Sequence, residues 1–246
     1  MSAVSEGRGR IVVRDADTYQ QVDEWPSYGI GPHEIQRMPS GDTLVVANSG
    51  ILTRPGSGRR ALNLESMHSN VSYVNASSGQ LEDRFDLAEP KASLRHLDVA
   101  ADGTVAFAIQ MQREAAGHTD TVALGGVHRR GSPAELFDDP PVLIDQLRDY
   151  VGSVAICNAS RTAGFTSPRG SLAVFWNIDT GALIGAHALR DVCGIASAPG
   201  RAAFLLSNSL GEIRELDSFN LAENRGRRIR LAGQRWDNHL RVVTAA

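Results

Sequence analysis

One lysine, Lys91, stands among the 25 basic residues of the sequence. It follows no glycine-rich loop, so a P-loop lysine is excluded and a Schiff-base lysine has a single candidate. Cysteine is almost as scarce. Cys157 and Cys193 are the only two, too few for a disulfide scaffold or a four-thiolate metal site, and their separation fits no zinc spacing. They read as buried thiols. No apolar run approaches the roughly 20 residues that span a bilayer, and residues 1–14 lack the apolar core of a secretory leader. Charge of one sign is missing too: 25 basic and 28 acidic residues are interspersed and leave a net charge of −3. That balance offers no basic footprint for phosphates, so nucleic acid is not an expected partner.

What is present is enough apolar residue to fold, 42% hydrophobic against 22% charged. It is arranged as short β-rich runs with almost no amphipathic helical pattern, which disfavours alternating βα units. The runs recur in groups of four. Arg10–Arg14, Gln20–Trp25, His33–Met38 and Thr43–Ala47 form a first group; Val71–Val74, Leu81–Phe85, Leu94–Val99 and Thr104–Ala108 repeat it more plainly. A looser third group uses Val122–His128, Ala134–Phe137, Val151–Ile156 and Ala163–Thr166, with a helical insertion around Val142–Asp149. Leu172–Trp176, Ala182–Ala188, Val192–Ala196 and Ala203–Leu206 make a clean fourth, and Glu212–Leu216, Arg227–Leu231 and Leu240–Val243 an incomplete fifth. Turns rich in Asp, Asn, Ser, Thr and Gly separate them.

Four short strands per unit, repeated, describe an all-β fold: a β-propeller of four-stranded antiparallel blades, about five of them, in one domain over residues 1–246. The Gly-His and Trp-Asp marks of WD40 blades and the double glycine of kelch blades do not recur; Trp236-Asp237 occurs once.

The third run of each group opens on a distinctive segment: Gly29-Ile30-Gly31-Pro32-His33-Glu34, Ser93-Leu94-Arg95-His96-Leu97, Tyr150-Val151-Gly152-Ser153-Val154-Ala155, Asp191-Val192-Cys193-Gly194 and Trp236-Asp237-Asn238-His239-Leu240. With Leu44–Ile51, Leu62-Asn63-Leu64, Val127–Gly131 and Ser167–Gly170, these resemble the bacterial propeller family known as domain of unknown function 1513. The resemblance implies about seven blades, a quinoprotein-dehydrogenase-like or YVTN-like shape, twin-arginine export to the periplasm, and a setting of iron or haem handling. It also implies a partner that is an iron-handling or redox protein. Measured against the family, this sequence is expected to lack an export signal and about two N-terminal blades. Arg54 stands where the family has histidine, and Ser69 where it has proline.

Aligning the five segments sets His33, His96 and His239 at matching points of three units, with Cys193 at the same point of another. In a propeller the start of the innermost strand faces the channel, so these side chains can converge on one mouth as donors to a metal or haem iron. The structural alternative is that they satisfy polar groups between blades. The candidate channel-mouth set is therefore His33, Glu34, Arg95, His96, Asp191, Cys193, Asn238 and His239, with no catalytic residue assigned. Arg95, Arg129 and Arg169 either clamp a carboxylate or lock blades through acids such as Glu34 and Asp191. Enzyme signatures fail on inspection: His33-Glu34 begins like a zinc-protease motif, but Arg37 replaces its second histidine, and Gly29-Ile30-Gly31 lacks the third glycine of a dinucleotide loop. A binding or scaffold protein is the expectation, with a quinone- or metal-linked dehydrogenase or a lactonase-like hydrolase as the alternative. The long Asn48–Asn70 loop is the expected docking element.

Overall fold

A computed structural model describes residues 2–6, 8–54, 56 and 60–243. Among the described residues nineteen strands form one three-stranded and four four-stranded antiparallel sheets. The first sheet holds β1 (Ser2–Glu6), β2 (Arg8–Arg14) and β3 (Gln21–Pro26). The second holds β4 (Pro32–Arg37), β5 (Thr43–Asn48), β6 (Asn70–Asn75) and β7 (Leu81–Asp86). Next come β8 (Ala92–Val99), β9 (Val105–Met111), β10 (Gly125–His128) and β11 (Glu135–Leu136). The fourth holds β12 (Ser153–Cys157), β13 (Thr162–Ser167), β14 (Leu172–Asn177) and β15 (Leu183–Ala188). The fifth holds β16 (Val192–Ser197), β17 (Ala203–Asn208), β18 (Glu212–Asp217) and β19 (Ile229–Arg230). Two short helices, α1 (Arg113–Ala116) and α2 (Pro141–Gln146), interrupt the series, the second inside the expected insertion.

The strands match the sequence reading closely, but the grouping is shifted by two. Each sheet starts at a run that the sequence placed third, because a cyclic repeat carries no mark of its own origin. The mark lies in the turns. Asn75 accepts from the amides of Ser77 and Ser78, Asn177 from those of Asp179 and Thr180, and Asp217 from those of Phe219 and Asn220. These side-chain-capped turns follow the third strand of their blades. Asp15 makes the same turn to Thr18 between β2 and β3. The first sheet therefore corresponds to the outer three strands of a blade. Leu240–Val243, read as a strand, is not one: among the described residues it pairs with no sheet, and Leu240, Arg241 and Val242 line a central cavity instead.

Burial explains the strand sequences. Middle strands such as β5 (TLVVAN) and β13 (TAGFTS) are buried throughout, whereas the outer β7 (LEDRFD) and β15 (LIGAHA) are buried nowhere along their length and alternate exposed with half-buried. Blades then pack face to face, with Ile11, Trp25, Leu44 and Val74 filling the space between the first two. Phe175, Ile195, Phe204 and Leu216 do the same between the last two. The first strands of successive sheets, β4, β8, β12 and β16, lie side by side around the centre.

An arginine network ties the other ends of three hairpins. Arg161 reaches Asp102 at 2.6 Å and Asp179 at 2.8 Å, and Arg129 reaches Asp179 at 3.1 Å and the Ile178 carbonyl at 2.8 Å. Burial alone would raise the Asp102 carboxyl, but the Thr104 amide and Arg161 outweigh it and bring it to about 2. The network is partly solvated, so Arg161→Ala is expected to lower urea-unfolding stability by only about 1 kcal/mol, with the loss shrinking in high salt.

Candidate functional site

The segment leading into β4 is set by backbone demands before any chemistry. Gly31 adopts φ +62°, and a Cβ at Gly29 would overlap the Asn48 side chain. The paired amides of Ser49 and Gly50 bond the carbonyls of Gly31 and Ile30, both at 2.9 Å. Beneath them Asn48, fully buried, donates to the Ser27 carbonyl (3.0 Å), Asn70 Oδ1 (2.9 Å) and Ser72 Oγ (3.2 Å), and accepts from Ser27 Oγ (2.7 Å). This polar knot holds the turn that projects His33.

Three imidazoles meet at the channel mouth. His96 on β8 stands between His33 and His239, its centroid 4.8 Å from one and 4.7 Å from the other, with both rings roughly perpendicular to its own. His96 Nδ1 lies 3.0 Å from Glu34 Oε2, which also takes the Leu97 amide at 3.3 Å. A carboxylate accepting from Nδ1 fixes the tautomer and leaves Nε2 with its lone pair free. His33 and His239 form no hydrogen bond among the described residues. Surrounding protein, then the neighbouring His96 and Arg95, push His33 down to about 3, so its ring stays neutral through the physiological range; burial followed by His96 also lowers His239. Among the described residues no group of three or more His, Cys, Asp or Glu side chains is disposed to hold a metal ion.

The three rings form one wall of a chamber of about 570 Å³, whose other walls include Ser49, Arg95, Gln110, Gln112, Tyr150 and Asn238. Asn238 Nδ2 donates to the Tyr150 hydroxyl at 3.0 Å, and Arg169 lies 4.5 Å over the Tyr150 ring. Arg95 is different. Its Nε is buried with no hydrogen-bond partner, and it forms no ion pair among the described residues. Below the rings a second cavity of about 220 Å³ continues down the channel past Glu34, Asp98 and Arg241. Desolvation raises the Asp98 carboxyl to about 6, against the opposing effect of the Ile156 amide 2.7 Å away. Glu34 is held low: burial would raise it, but His96 and Gln36 outweigh that, and Arg241 pairs with it at 3.0 Å.

The structure thus brings His33, Arg95, His96, Asn238 and His239 to one chamber, with Glu34 directly beneath. Asp191 and Cys193 lie elsewhere. The Asp191 carboxylate accepts from the Ser209 hydroxyl, and the buried Cys193 thiol, raised to about 11 chiefly by burial, faces the Asp191 carbonyl. Arg129 locks two blades through a carboxylate as expected, that of Asp179, whereas among the described residues Glu34 and Asp191 pair with none of Arg95, Arg129 and Arg169. The Ser69 hydroxyl lies 2.6 Å from the Ala92 carbonyl and 3.0 Å from the Ser49 carbonyl and shares its hydrogen between them, fastening the end of the Asn48–Asn70 loop. Gln110, Gln112, Tyr150 and Asp98 were not singled out from sequence as channel groups. The signal for Asp98 was its place two residues after His96 on the same inner strand, and for the glutamines it was likewise a spacing of two, which sets each pair on one face of the chain.

A blade of four antiparallel strands, repeated around a channel whose first strands adjoin, defines a β-propeller. The solved structures similar to this chain agree. Sqt1 of Saccharomyces cerevisiae matches with a TM-score of 0.57 at 12% identity, over 90% of this chain and 56% of that one. U3-55K gives 0.53 at 10%, over 93% and 57%, and the RRP9 WD40 repeats 0.50 at 10%, over 90% and 55%. The chain therefore spans little more than half the length of these structures, and the likeness is one of fold. No curated protein matches it. The profile of the protein family of unknown function DUF1513 matches residues 2–243, and the chain belongs to that family. Among the described residues no helix is long and apolar enough to cross a membrane.

Proposed function

We propose that this chain is a non-catalytic binding protein of a periplasmic iron- or haem-handling system, and that its ligand sits at the channel mouth. The observation that carries the reading is the meeting of three imidazoles, from β8, the start of β4 and the C-terminal segment, on one wall of a polar chamber. Such a row lacks the donor set of a bare-metal cage. A haem or a chelated iron brings most of its own ligands and asks the protein for only one or two nitrogens. His96, oriented through Glu34, would hold such an iron through Nε2, and His33 would be the second donor. An iron-handling or redox partner would meet the ligand across the Asn48–Asn70 loop, whose Ser49, Ile51 and Thr53 help to wall the chamber.

Titration with iron protoporphyrin, followed by the Soret band, tests this. Saturable binding is expected, weakened about tenfold or more in His33→Ala and in His96→Ala. Binding unchanged in both variants, or absent from the parent protein, overturns the reading. Because His33 is already neutral, the ratio of parent to His33→Ala affinity is expected to stay constant between pH 8 and pH 5; a ratio that collapses toward one at pH 5 would show a ring that protonates there.

A further inference from the structure

We infer that Arg95 makes the chamber a carboxylate-binding site, so that the ligand carries an organic carboxylate group. The inference rests on the chamber being a ligand site and adds the chemical class of what enters it. Several half-buried arginines of this protein are ion-paired: Arg113 with Asp149 at 2.7 Å, Arg161 with two aspartates, and Arg214 with Glu212 at 2.7 Å. Arg95, half-buried at the chamber wall, forms no ion pair among the described residues. Its Nε is cut off from solvent without a partner. A buried N–H left unmade carries a penalty, and a group that supplies the missing acceptor removes it.

The surroundings choose among anions. A guanidinium offers a planar fork that matches a carboxylate with two parallel hydrogen bonds. Gln110, Gln112 and Asn238 add neutral amides, and Tyr150 a hydroxyl, for the rest of the molecule. The balance of charge is narrow: the lining residues hold one guanidinium, Arg95, and one acid, Asp237. That suits a singly charged carboxylate group better than a phosphate dianion, which calls for more than one cation. A volume near 570 Å³ admits a small organic acid with room to spare.

Calorimetric titration of the intact, iron-free protein with lactate, benzoate and inorganic phosphate at mildly alkaline pH, where the two acids are monoanions and phosphate is chiefly the dianion, decides it. Saturable binding of lactate or benzoate is expected, weaker binding of phosphate, and a loss of about 10- to 100-fold in Arg95→Gln with a smaller loss in Arg95→Lys. Circular dichroism and the thermal midpoint confirm that both variants fold. Parent protein that binds neither acid, Arg95→Gln that binds them as well as the parent, or phosphate binding tighter than either acid overturns the inference. The haem titration is separate: acids that fail to bind while haem still does remove the carboxylate site alone, and acids that bind through Arg95 without any haem binding uphold this site while removing the iron reading.

Discussion

Asn48→Ala is expected to lower the unfolding free energy by about 3 kcal/mol, the largest effect of any single truncation near the site. The side chain is wholly buried, and its loss leaves Asn70 Oδ1 without its partner and removes one hydrogen bond each from the Ser27 carbonyl, the Ser27 hydroxyl and Ser72 Oγ, which keep only their bond to one another and a long contact to the Gly29 carbonyl. Cavity formation adds a smaller amount, since an amide is small. Asn48→Asp separates hydrogen bonding from shape: it keeps the volume but sets acceptors against the Ser27 carbonyl and Asn70 Oδ1 and brings a charge into the core. It should be at least as damaging as alanine. Urea denaturation checks both, and an aspartate variant as stable as the parent would contradict the donor role. Ligand binding should weaken in parallel, because the knot supports the Gly29–Pro32 turn that carries His33.

The second large effect has the opposite sign. Asp98→Asn is expected to stabilise the protein by about 2 kcal/mol at pH 8 and by almost nothing at pH 4. The folded carboxyl titrates near 6 and its ordinary value is 3.8. Below the lower value both states are protonated and the residue is neutral in the balance. Between the two, the folded chain holds a proton that the unfolded chain has released, so stability falls as pH rises; above about 6 the full cost of a desolvated carboxylate is present. Asparagine keeps an oxygen for the Ile156 amide and removes that cost. Comparing the variant with its parent at each pH cancels the contributions of Glu34, His96, His239 and Arg241, which face the same cavity. An equal stability difference at pH 4 and pH 8 would refute the assignment.

These two residues also show what a sequence can and cannot disclose. Strands were legible because β5, β9, β14 and β17 are dense in valine, alanine, leucine and phenylalanine between turn residues, a local property. The phase of the repeat was less so, although the Asn75 and Asn177 turns hold the information. Leu240–Val243 has the composition of a strand but no partner to pair with, and pairing is not local. His33, His96 and His239 could be aligned because they occupy the same point of a repeated unit, and symmetry converts such a point into proximity. Arg95 was visible in the motif, yet its isolation was not, since the absence of a partner is a property of the folded molecule. Asn48 stood inside a family motif with no hint that it is the centre of a buried knot.

The claim that a ligand sits among the three channel histidines is tested most directly by the imidazole carbon-bound proton signals of the seven histidines, followed while gallium protoporphyrin, a diamagnetic counterpart of haem, is added. Signals of His33, His96 and His239 are expected to move together to saturation while those of His68, His118, His128 and His187 stay in place. Shifts confined to the latter four, or no shift at saturating porphyrin, would contradict it.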